Sequence, residues 1–295
     1  MKKNKTSRDH IAYLFLLPSM LGILLFSLGP LILSLFLSFT DWNFTDGFAN
    51  WNVIGFDNFV ALFSDQWFVD SLVNTLIITV VTVPISLVIS MVIAALIDHF
   101  CHEQLASILR VAMYMPYICN IVATSAVWMA LFSSYGPFTL LIRMFGWEDP
   151  PKWLADYTWA LPALMLVMIW AGLGYRVFIY SSSMASMPRE LYESADIDGA
   201  NGIQKFFHIT VPQLRPTSFF LMITGIITSF KVFGYTNIMT RGGPGSSTYT
   251  LVYYIYTSAF KYYKFGYASA IAVILFLLLL IITIIQWRGN KDEGQ

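Results

Sequence analysis

The sequence is poor in charge and in cysteine, and each shortage excludes something. Asp, Glu, Lys and Arg make up 12% of its 295 residues, about half the share in an average soluble domain. So few ionised side chains cannot clothe a soluble globule of this length. The 17 basic and 17 acidic residues also cancel, so the basic surface of a nucleic-acid binder is missing. Cys101 and Cys119 are the only cysteines, too few for a disulfide framework or a cysteine metal site. No G-x-x-x-x-G-K-[ST] string occurs, which excludes a P-loop nucleotide site on this chain. Internal repeats and low-complexity linkers are absent too. What the chain has in quantity is hydrophobic residues, 57%, and aromatics, 17%. Disorder needs low hydrophobicity, so this composition predicts an integral membrane protein.

A membrane-crossing helix needs about 20 mostly apolar residues. Six stretches reach that length, at 11–38, 73–97, 108–133, 159–181, 217–240 and 266–287. The expectation is therefore an all-α fold with six transmembrane helices. The first stretch reads as a retained span, being too long for a signal-peptide core and lacking a small-residue cleavage site. Lys and Arg orient the spans, because they concentrate on the cytoplasmic side. Lys2, Lys3, Lys5, Arg8, Arg110, Arg189, Lys205, Arg215, Arg288 and Lys291 would share one side. Arg143, Lys152, Arg241, Lys261 and Lys264 would fall on the other, the last three against the rule. There the 39–72 loop carries Asp41, Asp46, Asp57, Asp65 and Asp70 and no basic residue. Both termini and the 182–216 loop are thus expected in the cytoplasm.

Residues 188–212 read as two short helices with a glycine break. Pro188 suits a first helical turn, and Glu190 and Glu193 near that end complement the helix dipole. Gly199 and Gly202 bracket the break, and Asn201 with Gln204 has the form of a capping box. Ile203, Phe206, Phe207 and Thr210 fall on one face of the second helix, and Pro212 is expected to stop it. Such a face wants a surface to rest on, either the membrane interface and neighbouring spans or a separate protein.

The spacing Glu193-Ser194-Ala195, Gly199, Ile209, Val211-Pro212 resembles the EAA loop of bacterial ABC-importer permeases. Ser194 and Val211 are conservative departures from the family pattern of E-A-A and I-x-L-P. Other segments resemble the maltose-type permeases, which import oligosaccharides and glycerol-3-phosphate. These are Ile54-Gly-Phe-Asp-Asn-Phe-Val60, Asn74-Thr75, Pro116-Tyr117, Phe230-Lys-Val-Phe233, Thr240-Arg-Gly-Gly-Pro244 and Gly266-Tyr-Ala-Ser-Ala270. The resemblance covers nearly the whole chain.

It implies a type I importer permease in three parts. Residues 1–70 would form a cytoplasmic tail, the first span and an acidic outer loop. Residues 71–287 would be the permease domain carrying the EAA loop, and 288–295 a cytoplasmic tail. The helix at about 188–200 would seat in a groove of an ATP-hydrolysing subunit. Glu190, Glu193, Ser194, Ala195, Asp198, Gly199, Ile209 and Pro212 would be the coupling residues. Glu193 would make a charge-assisted contact, and Gly199 would allow a sharp break. ATP and Mg would be bound by that subunit, with no cofactor on this chain. Implied partners are two copies of the ATPase, a second permease subunit of different sequence and an extracytoplasmic solute-binding protein. The setting would be the lipid of a bacterial plasma membrane, and the cargo a carbohydrate.

Sugars are gripped by aromatic faces, amides and hydroxyls, in a cavity near the membrane midplane. Candidates are Tyr117 and Asn120 in the third span, and Trp170, Gly172 and Tyr175 in the fourth. The fifth offers Ser229, Lys231, Tyr235 and Asn237. The resemblance points to Tyr117, Gly172, Tyr175 and Ser229 in particular. Residues of these types serve equally in helix packing or an interfacial belt. Arg176 and Lys231 are charges inside predicted spans. Arg176, near the cytoplasmic end of its span, is expected to snorkel to the interface. Lys231 lies deeper, and Gly234 stands where the subfamily often has an acidic partner. Lys231 would then pair with another subunit or face an anionic solute such as an acidic sugar.

At the outer end Gly242-Gly-Pro-Gly245 signals a turn, with Thr248 as the cap of a following helix. Leu251, Val252, Ile255, Tyr256 and Ala259 give that helix an amphipathic face. Tyr249, Tyr253, Tyr254, Tyr262 and Tyr263 read as an interfacial belt. A membrane enzyme is a competing reading, but no span holds two carboxylates. His10, His99, His102 and His208 all fall in tails or loops, and His99 with His102 has no third metal ligand. A passive channel is the other competitor, which the EAA-like loop disfavours.

Overall fold

The computed structural model describes residues 5–47, 51–147 and 149–292. Lys2, Lys3 and the last three residues of the expected tails lie outside the described residues. Within the described residues every regular element is helical, and Thr40 and Val53 form an isolated β-bridge. The helices are α1 (Lys5–Ile23), α2 (Gly29–Leu37), α3 (Asp57–Phe63), α4 (Gln66–Phe100) and α5 (Glu103–Ile118). They continue with α6 (Ile121–Leu131), α7 (Pro137–Met144), α8 (Ala160–Ala185), α9 (Arg189–Ile197) and α10 (Gly202–Lys205). The last are α11 (Val211–Gln213), α12 (Arg215–Phe230), α13 (Leu251–Tyr256) and α14 (Phe265–Asp292). One π-helical turn, Leu24–Leu28, joins α1 to α2, and another, Phe206–Thr210, joins α10 to α11.

Among the described residues, four helical runs are long and apolar enough to cross a bilayer: Phe15–Leu37, Gln66–Phe100, Ala160–Ala185 and Phe265–Arg288. They correspond to the first, second, fourth and sixth expected spans. The other two are not continuous helices. The expected span at 108–133 is α5 and α6, bent by 96°. Pro116 lacks an N–H donor and weakens the end of α5. The Asn120 side chain then starts α6 afresh, accepting from Val122 N–H at 2.8 Å.

The expected span at 217–240 is broken as well. α12 ends at Phe230 after 16 residues, about 24 Å, against about 30 Å of hydrocarbon core. Val232 and Phe233 are non-helical, and helical structure resumes at Gly234 with a π-helical turn over Thr236–Thr240. A Cβ on Gly234 would lie 2.5 Å from the Ile121 side chain, so glycine lets the resumed segment approach α6.

The chain forms two compact units. The larger comprises Gln66–Tyr254 with the residues from Leu279 on. In it α4 and α12 present small hydroxyl residues at their packing faces. Ser71, Thr75, Thr79, Thr82, Ser86 and Ser90 are all buried on α4. Their hydroxyls are satisfied mainly by carbonyls one turn back, as in Thr75 to Ser71 at 2.7 Å and Thr79 to Thr75 at 2.8 Å. Such a face lets helices approach closely without an unsatisfied polar group. Gly174 does the same between α5 and α8: a Cβ there would sit 1.8 Å from the Met113 carbonyl oxygen.

Asn74 and Thr75 tie α4 to the glycine-rich turn. Asn74 Nδ2 donates to the carbonyls of Ser246 and Tyr249 at 2.8 and 3.0 Å. Thr75 Oγ1 accepts from Leu251 N–H at 3.0 Å. The helix after the turn therefore starts on Thr75 and on Thr250, whose hydroxyl accepts from Tyr253 N–H. Thr248, the expected cap, instead donates to the Gly243 carbonyl at 2.9 Å. Two members of the expected belt are interior: Tyr253 and Tyr254 are buried, and Tyr253 Oη donates to the Arg241 carbonyl at 2.8 Å. Turn chemistry and a neighbouring helix, neither visible in periodicity, override the interfacial reading.

The smaller unit comprises the residues up to Asp65 and Ile255–Leu278. Its polar centre is Asn58, buried in α3, which donates to the carbonyls of Ser38 and Thr40 at 2.9 and 2.8 Å. Gly266 N–H donates to Trp42 C=O at 3.0 Å, and a Cβ on Gly266 would lie 2.1 Å from the Thr40 carbonyl oxygen. Glycine is what lets the start of α14 pass that close. Asp41 accepts from Asn52 N–H at 2.7 Å and from its side chain at 3.0 Å. Those two bonds hold the Asp41 carboxyl below its usual range.

Candidate functional site

A cavity of about 510 Å³ opens in the larger unit. Its walls come from α4, the α5–α6 bend, α8, and α12 with the break that follows it. Three of the four walls carry an internal proline, a bend or a break, and α8 runs uninterrupted. Pro84 lies inside α4, between Thr82 and Ser86, which both line the cavity. The bend at Cys119–Asn120 brings Tyr117, Cys119 and Ile121 to the rim. The break after Phe230 presents Lys231, Val232, Phe233, Gly234 and Tyr235.

Of the nine residues expected along a solute pathway, six line this cavity: Tyr117, Gly172, Tyr175, Ser229, Lys231 and Tyr235. Tyr117 and Tyr175 stack at 5.0 Å between ring centroids, 21° from parallel. Ser229 Oγ bonds to Thr79 Oγ1 at 2.9 Å and to Ile226 C=O at 2.9 Å, so this hydroxyl joins α12 to α4. The other three lie outside the cavity lining. Asn120 is spent on the cap of α6. Trp170 packs edge-on against Trp128 at 5.4 Å. Asn237 belongs to the π-helical turn beyond the break.

Arg176 does not snorkel. α8 continues to Ala185, nine residues past it, about 14 Å, and the side chain runs the other way. Its Nη1 donates to the Gly172 carbonyl at 3.0 Å, and the group lines the cavity. Gly172 makes this possible, since a Cβ there would lie 2.3 Å from Nη1. Gly225 on α12 faces the same group, its Cβ position being 3.4 Å from Nη2. Sequence reasoning also missed Thr82, Ser86, Thr224 and Thr228 as lining residues. The one signal for them was Ser and Thr at helical spacing, which packing faces share.

The 188–212 loop has the expected form. α9 starts at Arg189 after Pro188, and Gly199 follows it with φ 76°. Gly199 N–H donates to Asp196 C=O at 3.1 Å and Ala200 N–H to Ala195 C=O at 2.9 Å, a Schellman ending. The reciprocal Asn201–Gln204 bonds, 2.9 and 2.8 Å, start α10. Pro212 does not end the helix: it sits at the start of α11, whose turn runs to Gln213. The π-helical turn Phe206–Thr210 leads into α11 without a break, Val211 N–H donating to Phe206 C=O.

Tyr192 Oη ties α9 to the returning arm through the Thr210 hydroxyl at 2.9 Å and meets Met187 Sδ at 3.3 Å. Lys205 pairs with Asp196. None of the residues of α9 is buried. Glu190, Glu193, Ser194 and Asp198 are exposed, as are Ile197, Ile203 and Phe207. Ile209 and Pro212 are half-buried, and Thr210 is buried. Among the described residues there is no cluster of three His, Cys, Asp or Glu that would hold a metal.

Residues 54–288 match the family described as the binding-protein-dependent transport system inner membrane component. The chain belongs to this family. It is a transporter permease, not an enzyme. This permease is 33% identical over 297 residues to the probable ABC transporter permease protein YesP of Bacillus subtilis, covering 99% of this chain and 94% of that protein. It is 31% identical over 279 residues to the sulfoquinovosyl glycerol transport system permease protein SmoG of Agrobacterium fabrum, covering 94% and 89%. Its fold matches a chain of a bacterial ABC transporter that imports the acidic polysaccharide alginate. That match has a TM-score of 0.84 at 22% identity and covers 98% of each chain.

Proposed function

We propose that this permease is the transmembrane subunit of an ATP-driven carbohydrate importer, forming half of the translocation pathway. It couples through the 188–212 loop to an ATP-hydrolysing subunit that binds the ATP and Mg. The carrying observation is α9, a well-terminated helix that buries none of its residues. Tyr192 and Asp196 tie the helix to the returning arm and leave its remaining face exposed, an arrangement suited to being received by another surface. The acids Glu190 and Glu193 and the apolar Ile197 are the groups it offers. Relatives named for sulfoquinovosyl glycerol, starch degradation products and sn-glycerol-3-phosphate support a sugar or sugar-like cargo.

In this reading the chain crosses the membrane six times, with both termini in the cytoplasm. The bent α5–α6 pair and the broken segment from α12 to residue 240 supply the third and fifth crossings. The assembly holds a second permease of different sequence, two ATPase copies and an extracytoplasmic solute-binding protein. The test is to purify the complex through this chain, reconstitute it, and measure sugar uptake and ATPase activity together. Co-purification with an ATPase and sugar uptake that stops without ATP are expected. Uptake continuing without ATP hydrolysis would refute the reading.

A further inference from the structure

Resting on the importer reading, we propose that the cavity receives an acidic sugar, a uronate, whose carboxylate is taken up by Arg176 and Lys231. Both cations line the same cavity, and no Asp or Glu is among its lining residues. Arg176 is half-buried on the cavity wall, and the ion pair found among the described residues, Lys205–Asp196, does not involve it; a cation inside a membrane span calls for an anionic partner. Arg176 spends an Nη1 donor on Gly172 C=O, and its buried Nε has no hydrogen-bond partner.

The position of that guanidinium is built. Gly172 leaves it room, since a Cβ there would strike Nη1 at 2.3 Å, while Gly225 on α12 borders Nη2, its Cβ position lying 3.4 Å away. A side chain with only a packing role could have pointed along α8 towards its end. This one is laid along the cavity wall instead. Lys231, exposed at the end of α12, adds a second cation from a different wall. Arg suits the planar carboxylate and Lys supplies a mobile point charge. The stacked Tyr117–Tyr175 pair offers an aromatic face of the kind pyranose rings rest on. The hydroxyls of Thr224 and Thr228 are acceptors and donors for sugar hydroxyls. Ring and charge are thus both provided for, which distinguishes a uronate from a neutral sugar or a simple anion.

The test uses the complete transporter in proteoliposomes with its solute-binding protein. The probes are the trisaccharides of galacturonate and of mannuronate, each beside its counterpart with carboxylates reduced to alcohols. Uptake of at least one acidic probe in preference to its reduced counterpart is expected. Arg176→Gln and Lys231→Gln should each raise KM for the acidic probe about tenfold or more, equivalent to roughly 1.4 kcal/mol. Arg176→Lys should keep most of the uptake, because it keeps the charge. Competition by acidic against neutral trisaccharides in the unmodified transporter reads the same preference without relying on any variant. Uptake confined to neutral sugars overturns the proposal and leaves the importer reading intact. Unchanged KM in both glutamine variants also overturns it, pointing to cations that pair with the second permease. Absence of uptake for every sugar overturns the importer reading and this proposal with it.

Discussion

Replacing Gly174 with alanine should damage this permease far more than replacing Gly172, two residues away on the same helix. At 174 the new Cβ would lie 1.8 Å from the Met113 carbonyl oxygen, 2.5 Å from its carbon and 2.9 Å from Tyr114 Cα. All three are backbone atoms of α5, so no side chain can swing aside. Restoring ordinary contact requires α5 and α8 to part locally by about 1.5 Å, and overpacking of this kind costs about 1–3 kcal/mol. Alanine returns about 1 kcal/mol of helix propensity, leaving a net loss. At 172 the obstacle is the tip of Arg176, 2.3 Å away, a flexible end that can move. Gly172→Ala therefore gains propensity and keeps its packing, but drives the guanidinium from its place on the cavity wall. The two alanines should separate stability from transport. The purified complex with Gly174→Ala should melt several degrees lower in a fluorescence-detected gel-filtration thermal assay. Gly172→Ala should melt like the native complex and raise KM for the acidic probe in the manner of Arg176→Gln. A native melting profile for Gly174→Ala, or a lower one for Gly172→Ala than for Gly174→Ala, would falsify the steric argument.

Other expectations follow from the same geometry. Gly199→Pro removes the N–H that bonds Asp196 C=O, and Glu193→Lys reverses an exposed charge on α9. Each should leave ATP hydrolysis running without uptake, measured side by side on one reconstituted sample. Gly199→Ala should be milder, since nothing lies within 4 Å of its Cβ position and only the left-handed backbone costs about 1–2 kcal/mol. Asn58→Ala strips the buried Ser38 and Thr40 carbonyls of a donor, and should destabilise the smaller unit by about 2 kcal/mol, read as faster hydrogen exchange at residues 38–42. The Asp41 carboxyl is lowered by Asn52, so its contribution is present above the unfolded carboxylate pKa and is lost as pH falls through the folded one. Proteolysis of the 41–52 connection should thus rise only in acid, and Asp41→Asn should flatten that pH dependence.

Much of this architecture is written locally. Hydropathy located α4, α8 and α14, and the 188–212 loop could be read almost residue by residue. That loop folds by short-range rules, with Asn201 and Gln204 capping each other and Gly199 taking the left-handed turn. What escaped the sequence depends on neighbours. An apolar run says that a segment can lie in a bilayer, not that its helix is continuous, so the breaks at 119–120 and 232–233 were invisible. Tyr253 looked interfacial because the pattern does not show that Arg241 C=O awaits its hydroxyl. Arg176 looked like a snorkelling residue because the pattern does not show that its guanidinium turns back to the Gly172 carbonyl, into space that a side chain at 172 would fill.

The interruption after Phe230 turns one wall of the cavity into two stiff rods and a joint. The helical ladder is interrupted at Val232 and Phe233, so a change of angle there would disturb fewer backbone hydrogen bonds than bending an unbroken helix. A continuous helix would have to bend along its length to do the same. The joint is loaded by Thr250, whose hydroxyl holds the Val232 carbonyl at 3.0 Å. Lys231 rides directly on it. The ammonium group therefore moves with the joint, and any anion that fixes the ammonium also biases the angle between the rods.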